Sequence, residues 1–209
     1  MCIRDRDGNI TGNGTIGIGF EALKNLTSGA SNTAVGYQAG TAMTTGSYNT
    51  VLGYGAAESL TDAAGSNVVI GYQALSRATG DGATRADQNI AIGYRTMYGQ
   101  FGAADVNDVV AIGSKAVRGT LTAAASGTVA IGTQALDALT SGAANTAIGY
   151  KCMVTSETIA QTVGIGYEVG LTSGTGGSNG VFIGYQSAKD LYGGHDNCIA
   201  IGHSALSGA

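Results

Sequence analysis

A pattern of large, small and large residues closed by glycine recurs down the chain. Ile16-Gly17-Ile18-Gly19, Thr33-Ala34-Val35-Gly36, Ile90-Ala91-Ile92-Gly93 and Thr146-Ala147-Ile148-Gly149 are examples. The closing glycines are Gly19, Gly36, Gly53, Gly71, Gly93, Gly113, Gly132, Gly149, Gly166, Gly184 and Gly202, spaced 17 to 22 residues apart. The residue before each is aliphatic, and the residue three before is β-branched. Alternation with a period of two marks a strand. A repeat of this length predicts a solenoid, with one such strand in each of about eleven coils. The large side chains are expected in the core, which makes Ile131 and Ile148 core positions. The small side (Ala34, Ala91, Ala111, Ala130, Ala147, Ala200) is expected to face outward, where it lets neighbouring chains approach.

The remainder of each unit reads as a turn and a second, shorter extended stretch. After the glycine comes usually tyrosine, then a variable polar residue, then a small one such as Ala22, Ala39, Ala56, Ala74, Ala116, Ala135 or Ala205. Asn32, Asn49, Asn67, Asn89 and Asn145 share one phase. Asparagine there suits a left-handed turn and, in a stack, an amide ladder. No stretch keeps a 3.6-residue period free of glycine, so no helix is expected. A coil burying two aliphatic side chains gains roughly 3–6 kcal/mol. Ordering its backbone costs on the order of 17–34 kcal/mol. A coil therefore folds only against its neighbours.

Composition narrows the functional classes. Charged residues are 11% of the 209, glycine is frequent at 36, and proline and tryptophan are absent. Few charges suit a stack in which like residues sit about 4.8 Å apart. A net charge of −4 gives no electrostatic case for nucleic acid. No apolar run approaches the ~18 residues of a membrane span, so no membrane insertion is expected. The segment Met1-Cys2-Ile3-Arg4-Asp5-Arg6 resembles a translated sequencing adapter (codons ATG-TGT-ATA-AGA-GAC-AG). That resemblance makes residues 1–6 non-native, 1–14 an adapter with a partial leading segment, and 15–209 a solenoid truncated at both ends.

NTAVGYQAG (Asn32–Gly40), NTVLGYGAA (Asn49–Ala57), VAIGTQAL (Val129–Leu136) and NTAIGYKCM (Asn145–Met153) resemble the head repeats of YadA-type trimeric autotransporter adhesins. They are more similar still to the longer NTAxGYxAL repeats of phage tail fibres. The resemblance spans Thr15 to about Leu206. It implies an all-β fold, a parallel β-solenoid of the left-handed β-roll kind, and association of three identical chains. It also implies an extracellular place on a virion tail fibre or a bacterial surface, with attachment to a cell-surface glycan or protein receptor. Adhesin-head repeats are shorter, so an identical coil shape is not implied.

Several motifs suggest chemistry and fail on context. Gly12-Asn13-Gly14-Thr15-Ile16-Gly17 matches GxGxxG but has no following helix or βαβ unit, so no nucleotide cofactor is expected. His195-Asp196 and His203 have no serine or cysteine nucleophile placed with them. Cys152 and Cys198 lie three coils apart, about 14 Å, beyond disulfide reach. Neither a zinc spacing nor a calcium repeat is present. The expectation is therefore no enzyme, no metal and no cofactor. A polysaccharide-cleaving β-helix enzyme would need acids clustered on adjacent coils. An ice-binding solenoid would need a threonine ladder, and Thr33, Thr50 and Thr146 are interrupted by Ile16, Val68, Ile90 and Val110.

The informative positions are Phe20, Tyr37, Tyr54, Tyr72, Tyr94, Tyr150, Tyr167 and Tyr185, each directly after a closing glycine, with Ser114, Thr133 and His203 as exceptions. Stacking makes them an aromatic ladder. It serves either to pack a coil corner or chain interface, or as an exposed stripe for sugar rings. Two units are longer than the rest. One carries Arg77, Asp81, Arg85 and Asp87, and the next carries Asp105 and Asp108. Such insertions read as tolerated loops or as a binding face.

Overall fold

The computed structural model describes residues 12–61, 65–77, 86–101, 105–122, 125–170, 178–190 and 196–208. Cys2, Asp81, Arg85 and His195 lie outside them, as does the adapter-like hexapeptide. Each coil supplies one three-residue strand: β1 Ile16–Ile18, β2 Thr33–Val35, β3 Thr50–Leu52, β4 Val68–Ile70, β5 Ile90–Ile92, β6 Val110–Ile112, β7 Val129–Ile131, β8 Thr146–Ile148, β9 Val163–Ile165, β10 Val181–Ile183 and β11 Ile199–Ile201. They form one sheet of eleven strands in sequence order. Every pairing is parallel, as in Ile16 with Thr33 and Val129 with Thr146. The chain is thus an all-β parallel solenoid. Register survives the long units, since Val68 still pairs with Ile90 and Ile90 with Val110.

The sheet is the reverse of the expected one in which side faces in. The middle residue of each strand is buried, and the two flanking residues are half-buried or exposed. Ala34, Ala91, Ala111, Ala130 and Ala147 are fully buried, and Ala200 nearly so. Ile131 and Ile148 are each 36% exposed and Leu52 is 45% exposed. The physical reason is that the opposite wall already fills the coil. Leu23, Leu75, Met97, Leu136 and Met153 form one buried row there, and Leu26, Met43, Leu60 and Leu139 another, with Leu121 and Ile159 also buried in the same cluster. A Cβ added at Gly164 would stand 2.8 Å from Cys152 Sγ and 3.0 Å from Met153 Cε. A small inward residue fits there, and in three other coils the same position widens to Val51, Val69 and Phe182.

Each closing glycine has φ between 126° and 139°, a region other residues rarely enter. Stacking forbids a side chain as well: a Cβ on Gly132 would come within 2.3 Å of the Gly149 carbonyl oxygen. On Gly202, which has no coil beyond it among the described residues, the same Cβ meets nothing. Three further positions per coil sit in the left-handed region, mostly without glycine; Gln38, Ala57 and Ser66 have φ of 53°, 50° and 59°. Such a residue turns the corner while its N–H stays aimed along the stack. Gln38 donates to the Phe20 carbonyl at 2.8 Å, and Ser66 to the Ser47 carbonyl at 3.0 Å.

These corners also explain why the second extended stretch is not a strand. Outside the named strands the described residues hold one isolated bridge, Phe101 with Leu121. The stretch is hydrogen-bonded from coil to coil all the same, as where Leu136 N–H meets the Cys152 carbonyl at 3.0 Å. No α-helix occurs among the described residues.

Asn32, Asn49 and Asn67 form the expected amide ladder inside the coil, whereas Asn89 gives its amide to the Val106 carbonyl and Asn145 to those of Gly142 and Ile159. Asn49 Nδ2 donates to Asn32 Oδ1 at 3.1 Å, and Asn67 Nδ2 to Asn49 Oδ1 at 3.0 Å. The same oxygens accept backbone N–H groups of the next coil, such as Asn67 to Asn49 Oδ1 at 3.0 Å. All these asparagines are buried.

Candidate functional site

Outward-facing Thr, Val, Ile and Leu from the eleven strands make two parallel rows on one face of the solenoid. Beside them runs the aromatic row, one residue past each closing glycine. The glycine positions it: the wide φ swings the chain off the sheet and leaves the following ring on the outside. The rings stack. Phe20 and Tyr37 are 5.3 Å apart between centroids, Tyr37 and Tyr54 4.8 Å, Tyr54 and Tyr72 5.4 Å, and Tyr72 and Tyr94 5.4 Å. A second column joins Tyr150, Tyr167 and Tyr185 at 5.2 Å per step and ends on His203 at 5.1 Å. Planes within a column tilt by 5° to 17°. The seven candidate tyrosines, Tyr37, Tyr54, Tyr72, Tyr94, Tyr150, Tyr167 and Tyr185, are thus brought together in two stacks, 40% to 49% exposed. His203, an exception by sequence, joins the second stack as a ring.

A polar row lies next to the rings. Gln38 Nε2 donates to Glu21 Oε2 at 2.9 Å and Lys24 Nζ sits 2.6 Å from Glu21 Oε1. Those two donors hold the Glu21 carboxyl below its usual range. Glu168 is lowered likewise, first by the Gln186 amide at 3.0 Å and then by Lys189. Partial desolvation in the stack, with the Glu168 carboxylate beside it, raises the Tyr167 phenol. Sequence reasoning passed over the cations of this row. Arg95 lies 5.3 Å from the Tyr94 centroid and 5.1 Å from that of Tyr98, and Lys151 Nζ lies 5.3 Å from the Tyr150 centroid. Their signal was present as cations directly after tyrosine in Tyr94-Arg95 and Tyr150-Lys151.

The other candidates do not assemble into a site. Asp196 Oδ1 accepts the Ser178 N–H at 2.8 Å, a contact from one coil to the next. Cys152 is buried and Cys198 half-buried, both as free thiols. Asp87 Oδ1 accepts the Gly65 N–H at 2.6 Å. It lines a shallow depression of about 380 Å³ with Gly65, Ser66 and Gln88. Arg77 lies 5.2 Å from the Tyr98 centroid, and Asp108 holds a left-handed corner with φ of 59°. Among the described residues no group of three metal-binding side chains occurs.

What this surface can do is bind by contact. It is long, apolar on the sheet side, aromatic at its edge and polar beyond. No family model, curated protein or solved structure matches the chain.

Proposed function

We propose that the chain is a structural and binding segment of a fibrous attachment protein, whose copies associate along the outward face of the sheet. The observation behind this reading is that face: two rows of aliphatic and β-branched side chains, with residues such as Ile18, Leu52 and Ile165 exposed. Soluble monomers seldom expose a contiguous apolar patch beyond a few hundred Å². A partner with the same surface covers it without unpaired charge, because both rows are free of ionisable groups. The YadA-type and tail-fibre resemblance supplies three as the number of chains and a virion tail or bacterial surface as the place. The stacked tyrosines border the face, so the row contributes to the interface edge and to receptor contact outside it.

The test is to place charge on the outward rows. Ile131→Lys together with Ile148→Lys should leave the individual solenoid folded, since both positions are part-exposed, and should abolish association. Light scattering reads the mass and circular dichroism the fold. A parent chain that stays monomeric at high concentration, with its face uncovered, overturns the association.

A further inference from the structure

The aromatic column is broken at one place, where Ser114 and Thr133 stand in the positions that the neighbouring coils give to tyrosine. Tyr94 closes one stack and Tyr150 opens the next. The coils between them are not displaced. Lys115 N–H reaches the Tyr94 carbonyl, Gln134 N–H the Ser114 carbonyl and Lys151 N–H the Thr133 carbonyl, each at 2.9 Å. The break is therefore a slot with a regular hydrogen-bonded floor. Three steps of about 4.8 Å separate the bounding rings, about 14 Å in all. Two aromatic rings are missing from the column there.

Charge gathers at the same place. In the row beside the aromatics, the two stacks carry Glu21 and Glu168 or neutral residues, and the slot carries Arg95, Lys115 and Lys151. None of these three cations belongs to an ion pair among the described residues, and Arg95 Nε donates to the neutral Gln73 Oε1 at 3.0 Å, leaving its other guanidinium N–H groups for a ligand. Arg95 and Lys151 each lie over the tyrosine that bounds the slot. On a chain of net charge −4, three uncompensated cations around a ring-sized gap make a local preference for anions.

We infer that the slot is a ligand subsite for an acidic saccharide, a chain of pyranose rings bearing carboxylates. Tyr94 and Tyr150 bound the gap with half-exposed ring edges against which the apolar side of a sugar can lie. Ser114 and Thr133 offer hydroxyls at the floor, which suits a polyol and does not suit a purely aromatic guest. Arg95, Lys115 and Lys151 take the carboxylates through charge-assisted hydrogen bonds. The inference deepens the attachment reading and rests on it for the class of partner.

The experiment measures binding of a uronic-acid hexasaccharide and of its carboxyl-reduced neutral counterpart to the 209-residue chain by calorimetry. The acidic form should bind at least about tenfold more tightly, with an affinity that falls as salt rises. Ser114→Tyr with Thr133→Tyr fills the slot with the residue the other coils use, so the column closes, the melting temperature holds or rises, and binding is lost. Lys115→Gln and Lys151→Gln should each weaken the acidic ligand about two- to fivefold and leave the neutral one unchanged. Unchanged binding by the filled variant overturns the subsite, as does a parent that binds both saccharides equally or neither. Loss of self-association on filling also overturns it, because the slot is then a socket between copies. A parent that binds the acidic saccharide yet remains monomeric keeps the subsite and removes only the association.

Discussion

A thiol occupies a position where most coils have alanine. Cys152 is fully buried, and burial pushes its pKa up to about 12 from an ordinary value of 9.0. The unfolded chain loses this proton near pH 9 while the folded chain keeps it, so stability from this group is intact below pH 9 and declines from about 9 to about 12. Cys152→Ala, which restores the commoner residue, should flatten the alkaline limb of a melting-temperature profile and change little at pH 7. An alkaline limb identical in both proteins would locate the pH sensitivity elsewhere. The same residue scale shows where sequence runs out. Glycine at the wide-φ position was legible because no other residue serves there. The left-handed corners at Leu23, Leu75 and Met97, with φ of 52°, 48° and 49°, were not. Long aliphatic side chains do not announce that geometry, and coil-to-coil hydrogen bonds with buried packing impose it against local preference.

The strand was legible as an element, down to its three residues, because the aliphatic-glycine phase never slips and the middle residue is Gly or Ala in eight of the eleven strands. Its orientation was not. A period of two states that the sides differ and leaves open which side faces in. The deciding facts were the leucine and methionine rows on the far wall, whose spacing from the strand only the folded coil reveals. Ile131→Asp, expected from the alternation to unfold the stack, is instead a surface change, and the buried counterpart is Ala130. The asparagine ladder is the second element readable from phase alone. Asn67 accepts the Asn89 N–H at 2.9 Å and gives its own amide to Asn49 and to the Ala86 carbonyl. Asn67→Leu should remove these bonds and strand buried polar groups, at a cost of about 2 kcal/mol or more. A chemical denaturation midpoint unmoved by this change would show that the ladder contributes nothing net.

At the scale of the whole molecule, chain length and cross-section are independent. Extra residues in the longer units leave the sheet register and the aromatic row in place, so coils add without reshaping their neighbours. The candidate site is legible in proportion: the tyrosine row is visible in the sequence, while the slot and its cations emerge only once coils are stacked and the missing rings become a space. The ladder bonds join coil to coil, so they lie along the solenoid axis. A load applied to the two ends pulls them lengthwise and opens the stack one junction at a time. Each coil peeled away releases about 60 Å of contour for 17 residues, and the 22-residue unit about 75 Å. Force–extension traces should therefore show a series of unequal steps in these sizes; a single all-or-none extension would contradict it. In the proposed attachment role such a stack would yield by lengthening, so that a sudden pull is absorbed coil by coil.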